Sequence, residues 1–366
     1  MPPSLFSPFD LGNIQLRNRI VMAPMTRNRA DQNGNPTGLM AKYYQQRAGA
    51  GLIVAESSPI SPQGVGYPFT PGIFTEAQVN GWKDVCEAVH AKGGRVFIQL
   101  QHCGRISHPD LQPDNERPVA PSAIRPIGQA ITYSGPKDFV TPRALELHEI
   151  PNIVSKFENA ARLALTAGFD GVEVHGANGY IIDQFLRDGT NTRSDAYGGD
   201  APRRMRLLND VLDAVISVWS AARVGVRLSP QNTFNAMSDS DPQAHFSYFS
   251  EQLSVRGLAY LHVLEGDMSG AASSFDYNEI RSRFSGAYIA NGGYDKSGAA
   301  AAIQNGRVDL VAFGVPFIAN PDLVHRYEAN LPLSRAEPEY FYTGGPRGYI
   351  DYDGAGTVIT QESGSP

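Results

Sequence analysis

The run HGANGY brings His175, Asn178 and Tyr180 into one short segment, and their types suit chemistry at a carbonyl oxygen. A histidine N–H and an asparagine NH₂ can converge as paired donors on an oxygen that gains negative charge. A tyrosine hydroxyl beside them can supply a proton. By itself the same triplet more often indicates a hydrogen-bonded loop without chemistry. The run is therefore informative only in company with other residues.

Two more polar residues interrupt apolar segments. Arg227 lies between Val226 and Leu228, so strand alternation predicts that its guanidinium points to the opposite side from those two side chains. A buried guanidinium needs an acceptor, which could be Glu173 on a neighbouring segment, the electron-rich edge of a ligand such as the pyrimidine end of a flavin, or both. Gln99 offers a donor and an acceptor together, which suits the same edge.

The elements that must position these residues are short apolar runs rich in β-branched residues, typical of strands buried on both faces. The predicted strands are Arg19–Met25, Gly51–Glu56, Arg95–Gln101, Gly171–His175, Val224–Ser229, Ala259–Leu264, Ala287–Ala290 and Leu310–Phe313. Amphipathic spacing predicts helices over Leu39–Arg47, Glu76–Ala91, Asn152–Ala167, Arg203–Trp219, Ala244–Arg256, Lys296–Asn305 and Asn320–Ala329. The alternation predicts an α/β fold, a (β/α)8 TIM barrel in a single domain, with a doubly wound open sheet as the alternative.

In a barrel, all strands end on the same face, where active sites are built. The residues introduced above fall at or near such ends, and so do Gly292-Gly293 and Gly314 after the last two predicted strands. Glycine backbone N–H groups at that corner can approach a phosphate. No GxGxxG follows the first strand, so a Rossmann dinucleotide site is disfavoured, and a nicotinamide would act as a transient co-substrate.

One long irregular segment, His108–Glu149, separates the third predicted strand from its helix. Its length predicts a lid or binding loop, with short hairpin strands around Ala130–Tyr133 and Lys137–Val140. We expect the barrel to span residues 1–353. The tail, 354–366, is expected to be disordered because of its composition.

Composition limits the possible classes of protein. The chain has 366 residues, 42% hydrophobic and 19% charged, with a formal net charge of −6, which argues against a nucleic-acid or anionic membrane surface. Its two cysteines, Cys86 and Cys103, are too few for an iron–sulfur cluster or a cysteine-based zinc site, so no metal is expected. Neither a signal peptide nor an apolar stretch of membrane-spanning length is visible, and a cytoplasmic location is the expectation.

The sequence resembles the old yellow enzyme family over essentially Leu5–Asp353. Many motifs of that family occur here in the same order, which makes a chance match very improbable. They include Met22–Arg27, Tyr43–Ala48, Gln99-Leu100, His175–Tyr180, Gln184–Leu186, Arg227–Pro230 and Asn320–Leu323.

The resemblance implies an FMN-dependent ene-reductase in which NAD(P)H reduces the flavin. The reduced flavin would then reduce the activated C=C bond of an enone or nitroalkene. It implies flavin contacts, with Thr26 near O4 and N5, from Pro24, Met25, Thr26, Ser57, Gln99 and Arg227, and phosphate contacts from Gly292, Gly293, Gly314 and Val315. His175 and Asn178 would bind the substrate oxygen, Tyr180 would protonate the α-carbon, and Tyr67, Gln101 and Tyr342 would line the substrate space. Such an enzyme would be a monomer or homodimer. Thr26 in place of a cysteine favours the original branch of the family.

Two positions depart from the family pattern. Gln101 stands where the family usually has tryptophan, which predicts a wider or more polar pocket. Val315 replaces the arginine that usually binds the phosphate, which predicts weaker FMN retention unless a cation such as Arg281 or Arg283 substitutes. Related dienoyl-CoA reductases and trimethylamine dehydrogenases need a cysteine cluster that this chain lacks. A flavin-storage barrel without catalysis is the alternative from a different class.

Overall fold

The computed structural model describes residues 3–268, 270, 274–352 and 354. Eight parallel strands close into a barrel in which each strand pairs with the next along the chain and the last pairs with the first. They are β1 (Ile20–Met22), β2 (Leu52–Pro59), β3 (Val96–Gln101), β4 (Gly171–Gly176), β5 (Val224–Leu228), β6 (Tyr260–Leu264), β7 (Ala287–Asn291) and β8 (Leu310–Phe313). The predicted TIM barrel is confirmed, and the closed sheet excludes the doubly wound alternative.

Helices occupy the connections between the strands. They are Gly38–Gln46, Glu76–His90, Ile150–Ala167, Ile181–Leu186, Ala201–Arg204, Arg206–Val218, Pro242–Ser254, Tyr277–Arg283, Lys296–Gln304, Val315–Ala319 and Leu323–Glu328. Short 3₁₀ turns lie at Pro62–Gly64, Pro109–Leu111, Pro113–Asn115, Leu147–Glu149, Ala221–Arg223 and Pro338–Tyr340. No helix in the described ranges combines the length and the apolar character needed to cross a membrane.

The predicted helices are confirmed, but several bounds differ for local reasons. The helix predicted from Asn320 begins only at Leu323, because the Asn320 amide donates to the carbonyl groups of Pro316 and Ser334 and holds its segment as a loop. The helix predicted over Arg203–Trp219 is interrupted after Arg204. The short helices Ile181–Leu186, Tyr277–Arg283 and Val315–Ala319 were not predicted, because each is too short for periodicity to reveal.

Apolar side chains form two layers around the sheet. Inside the barrel, Val21, Leu52, Phe97 and Tyr260 pack together, while a larger cluster joins the outer strand faces to the helices. The hairpin Phe9–Leu11/Ile14–Leu16, which the sequence analysis missed, contributes Leu11, Ile14 and Leu16 to the interior cluster. Because this hairpin precedes β1, it packs at the N-terminal end of the barrel and leaves the opposite end for the site.

The long insertion after β3 contains the predicted hairpin, with strands Gln129–Thr132 and Gly135–Asp138 paired antiparallel. Ala130 and Phe139 of this insertion pack in one cluster with Cys103 and Tyr180. The insertion therefore lies against the same end of the barrel as the candidate site. The tail predicted for 354–366 lies, apart from Gly354, outside the described residues.

A bulge in β2 decides which side chain enters the barrel. The register shifts between Ala55 and Ser57, so Ser57 pairs with Gln99 and points inward. Glu56 is thereby turned outward, where it accepts hydrogen bonds from the Tyr44 hydroxyl at 3.1 Å and from the Arg27 backbone at 3.3 Å. Strand alternation without the bulge would have placed the carboxylate inside.

Gly225 of β5 provides a test of interior packing. A Cβ at this position would lie 2.2 Å from the Tyr260 ring, so Gly225→Ala should lower the free energy of unfolding by about 1–3 kcal/mol. Gly38→Ala is the matched control, because a Cβ there meets nothing within 4 Å and should be neutral or slightly stabilising. Urea unfolding followed by circular dichroism measures both variants. Equal stability of the two variants would contradict the packing argument.

Candidate active site

The polar residues singled out from the sequence converge at the C-terminal end of the barrel. Gln99 is opposite Glu173 on the neighbouring strand, and His175 is opposite Arg227. Asn178 and Tyr180 follow β4 directly, in the turn that leads into the helix Ile181–Leu186. The inward-facing polar side chains of β3, β4 and β5 thus lie together at this end of the barrel. The HGANGY turn lies beside them.

His175 is held as a neutral hydrogen-bond donor. The backbone N–H of Ala177 donates to its Nδ1 at 3.3 Å, so the proton of the neutral ring lies on Nε2. Burial, and then the positive charge of Arg227, lower the pKa of His175 well below its usual value. The ring therefore presents an N–H group without a net charge.

Asn178 is also held so that its side chain can donate a hydrogen bond to a ligand. Its backbone takes the left-handed conformation, φ 59°, and its N–H donates to the Ser229 hydroxyl at 2.8 Å. Its side-chain oxygen accepts a hydrogen bond from the Asn232 amide at 3.0 Å. Since that oxygen is held by Asn232, the NH₂ group of Asn178 is directed away from Asn232 and can donate to a ligand.

Tyr180 is a buried phenol beside the histidine. Its hydroxyl lies 3.1 Å from the hydroxyl of Tyr67, and its ring meets that of His175 edge-on with centroids 5.0 Å apart. Burial raises the pKa of Tyr180 well above its usual value, and the neighbouring Tyr67 adds to the effect. The hydroxyl of Tyr180 therefore stays protonated.

A chain of hydrogen bonds inside the barrel, which we call the polar floor, joins Ser57, Gln99, Glu173 and His262. The Ser57 hydroxyl donates to the Gln99 oxygen, and the Gln99 NH₂ donates to Glu173 at 2.6 Å. His262 Nδ1 lies 2.8 Å from the other oxygen of Glu173. Gln99, Glu173 and His262 are all fully buried. One Gln99 N–H and one lone pair of its oxygen remain for a ligand above.

Arg227 points into the barrel, as predicted. It donates from Nη2 to the Asn291 side chain at 2.8 Å, while its buried Nε has no hydrogen-bond partner in the ranges that the structure covers. Burial lowers the pKa of Arg227, and the negative charge of Glu173 opposes that shift. A buried guanidinium N–H without an acceptor lowers the stability of the fold, so this group is expected to donate to a ligand. Of the two acceptors considered from the sequence, Glu173 affects Arg227 only through its charge, because its oxygens interact with Gln99 and His262, and a ligand edge remains as the acceptor for Nε.

The glycines at the ends of β7 and β8 leave the space expected of a phosphate corner. Gly292 has φ 130° and a Cβ there would lie 2.1 Å from the Glu265 carbonyl, so no other residue fits without strain. Around Gly293 nothing lies within 4 Å of a built Cβ, and at Gly314 a Cβ would only touch Met25 at 3.4 Å. Val315, which follows, is 54% exposed and opens the helix Val315–Ala319.

The structure corrects one expectation about this corner. Arg281 binds Asp309 at 3.0 Å, and Asp309 precedes β8, so the Arg281 side chain lies towards the opposite end of that strand from Gly314. Arg283 pairs with Glu251 at 2.9 Å on the outer helices. Neither arginine can replace the missing cation at Val315.

The remaining predicted residues surround the floor. Pro24 is buried, and Met25 and Thr26 are partly exposed in the segment that follows β1. Tyr342 is 66% exposed. It is nevertheless close enough to Tyr67 and Tyr180 to contribute, after burial, to their raised pKa values. Tyr342 is therefore a rim residue rather than part of the floor.

Gln101, at the end of β3, is 3% exposed and lies one inward position beyond Gln99. Its NH₂ group donates to the Cys103 sulfur at 2.8 Å, and its buried oxygen has no partner among the described residues. Burial raises the pKa of the Cys103 thiol to about 12, opposed by this hydrogen bond. The position thus presents a polar acceptor where an indole would present an apolar face.

These features fit the FMN that the sequence resemblance implies. The orphaned Arg227 Nε, the spare donor and acceptor of Gln99 and the open glycines at 293 and 314 supply a cation, a paired edge and a phosphate corner. Sequence reasoning missed Asn232, which orients Asn178, and His262, which closes the floor. A histidine inside the apolar run of β6 was the available signal for His262.

Known proteins resemble this chain over most of its length. The sequence profile of the family described as NADH:flavin oxidoreductase / NADH oxidase matches residues 4–334. 12-Oxophytodienoate reductase 1 from Oryza sativa subsp. japonica is 43% identical over 357 residues, covering 95% of this chain and 92% of that protein. A probable flavin mononucleotide-dependent alkene reductase from Leishmania infantum is 42% identical over 353 residues, 95% of this chain and 96% of that protein.

Solved structures show the same likeness in three dimensions. Morphinone reductase superposes with a TM-score of 0.93 at 45% identity, covering 97% of each chain. An old yellow enzyme homologue from Zymomonas mobilis superposes with a TM-score of 0.93 at 43% identity, covering 96% of this chain and 99% of that one. The chain therefore belongs to the old yellow enzyme family and is an NAD(P)H-dependent oxidoreductase that uses FMN.

Proposed function

We propose that this enzyme reduces the activated C=C bond of α,β-unsaturated carbonyl or nitro compounds, with Tyr180 as the proton donor. When bound, FMN would supply the hydride chemistry that links NAD(P)H to the β-carbon of the alkene. Gln99 and Arg227 would hold its pyrimidine edge, Thr26 its O4–N5 side, and Gly293 and Gly314 its phosphate. The protein's own contribution is to bind the substrate oxygen and deliver a proton.

One observation carries the proposal: the acceptor atoms of His175 and Asn178 are both occupied. His175 Nδ1 receives the Ala177 N–H, and the Asn178 oxygen receives the Asn232 amide. The His175 Nε2–H and the Asn178 NH₂ group are left to face a ligand, as an oxygen that gains negative charge requires. Because His175 is neutral, it and Asn178 would stabilise the negative charge that develops on an enolate or nitronate by hydrogen bonding. Neither side chain would transfer its proton to that oxygen.

Tyr180 completes the chemistry from the side of the pocket. Its raised pKa keeps the hydroxyl protonated, and the Tyr67 hydroxyl at 3.1 Å offers a partner to the oxygen after transfer. Ala130 and Phe139 of the insertion pack in the same cluster as Tyr180. We infer that this hairpin excludes water above the proton donor, which is the role of a lid.

Tyr180→Phe separates the two half-reactions. We expect flavin bleaching by NAD(P)H to be nearly unchanged and reoxidation by cyclohexenone to slow by about 100-fold or more, since only the second step needs the proton. Stopped-flow absorbance at the flavin band measures both steps. Tyr133→Phe, at a 54% exposed tyrosine of the insertion, is the control.

Equal loss in both half-reactions of Tyr180→Phe would remove the assigned role. If the wild-type flavin is bleached by NAD(P)H but no enone or nitroalkene reoxidises it, the flavin-storage alternative replaces the ene-reductase.

Gln101→Trp tests the pocket. An indole would fill the space beside Cys103 and remove the unpaired buried oxygen, so we expect a changed ratio of product enantiomers from a prochiral β-substituted enone. Chiral chromatography of the product measures the ratio. Gln112→Trp, at another largely buried glutamine, whose amide binds Val65 and Ser107, is the control for bulk alone. An unchanged ratio and rate in Gln101→Trp would refute selection at this position.

Val315→Arg tests cofactor retention. A charge-assisted hydrogen bond to phosphate is worth about 1.5–3 kcal/mol, so FMN should bind about ten- to hundredfold more tightly. Fluorescence titration of the apoprotein with FMN measures the affinity. Val255→Arg adds the same charge at an 85% exposed valine away from the site and should have no effect. Wild-type protein that keeps all its flavin through extensive dialysis would contradict the premise of weak retention.

A further inference from the structure

Glu173 is a carboxylate enclosed by the barrel, with no contact to solvent. Its two oxygens accept from Gln99 Nε2 at 2.6 Å and face His262 Nδ1 at 2.8 Å. It sits opposite Gln99 on β3 and one inward position before His175, which pairs with Arg227. Glu173 thus lies beside Gln99 and one inward layer below Arg227, the two residues proposed to hold the flavin's pyrimidine edge.

The hydrogen bond to Glu173 fixes the orientation of the Gln99 amide. A carboxylate accepts only, so the Gln99 NH₂ must face it, and the Gln99 oxygen must face the Ser57 hydroxyl. The remaining N–H and lone pair of Gln99 then have defined directions. A ligand edge above therefore meets a donor and an acceptor in a set order.

The charge balance beneath this edge depends on the same residue. Burial alone would raise the pKa of Glu173, but the charge and hydrogen bond of His262, together with Arg227, lower it overall. Burial lowers the pKa of His262, and the charge of Glu173 opposes that shift, while Arg227 stays protonated. The Glu173 carboxylate is therefore the negative charge that offsets Arg227 in this part of the barrel interior.

We propose that Glu173 is a positioning residue that sets the reduction potential of the bound FMN, acting through Gln99 and by offsetting the charge of Arg227. The inference rests on the placement of FMN given under the proposed function. An isoalloxazine gains negative charge at its pyrimidine edge on reduction. Arg227 favours that gain, and the Glu173 carboxylate opposes it, because interactions between buried charges are only weakly screened.

Glu173→Gln keeps the volume and removes the charge. We expect the midpoint potential of bound FMN to rise, with at least a tenfold shift in the ratio of reduced to oxidised flavin, about 30 mV for a two-electron couple. Potentials are measured by dye equilibration on the holoenzyme. Asp170→Asn is the matched control, since it removes one negative charge just before β4, at the other end of the barrel, and should leave the potential unchanged. An unchanged or lower potential in Glu173→Gln overturns the proposal.

Asn291→Asp gives a second test with the opposite sign, at a partly exposed position, should Glu173→Gln fail to fold or to keep FMN. It places a new carboxylate on Arg227, where the Asn291 oxygen now lies 2.8 Å from Nη2. The potential should fall by a similar amount, and an unchanged or higher value refutes the proposal. Gln99→Leu separates this failure from an error in FMN placement: unaltered FMN affinity in that variant would show that the placement itself is wrong.

Discussion

The enclosed guanidinium of Arg227 is the constraint on which the rest of the site depends. A positive charge inside a barrel of apolar side chains is stable only with a counter-charge and acceptors, and removing one partner of such a pair costs about 3–5 kcal/mol. Glu173 supplies the charge, and Asn291 supplies one acceptor. The buried Nε of Arg227 has no acceptor among the described residues, so a ligand that supplies an acceptor would be bound favourably. A site that needs its cofactor for full hydrogen bonding will also select it.

The same logic explains why the donors at the substrate position are neutral. A protonated His175 close to Arg227 would bring two like charges into one enclosed space, and burial and that repulsion are the two largest of the effects that lower its pKa. In the proposed function, the substrate oxygen would therefore meet N–H dipoles rather than a cation. Dipoles held in place by Ala177 and Asn232 need no reorganisation when charge develops, which is the source of their catalytic value.

Much of the fold was predictable from sequence, because buried parallel strands are continuous apolar runs and glycines mark their ends. The inward direction of Arg227 followed from the alternation around Val226 and Leu228. What could not be predicted depends on contacts distant in sequence. The bulge after Ala55 exchanges Glu56 for Ser57 in the interior, and Asn232 turns the Asn178 amide from another loop. The ion pair of Arg281 with Asp309, which rules it out as a phosphate ligand, is likewise visible only in three dimensions.

The two departures from the family pattern lie outside the polar floor, and this separation has a physical reason. Ser57, Gln99, Glu173 and His262 satisfy one another in series, so a change in any member would leave a buried polar group without a partner. Val315 is more than half exposed and contacts solvent, so losing an arginine there leaves no buried group unpaired. Gln101 donates from its NH₂ group to Cys103, and its buried oxygen has no partner among the described residues, so it is not part of the chain of hydrogen bonds in the floor. Variation in FMN affinity and in substrate selectivity can therefore accumulate outside the polar floor, while the hydrogen bonds of the floor stay unchanged.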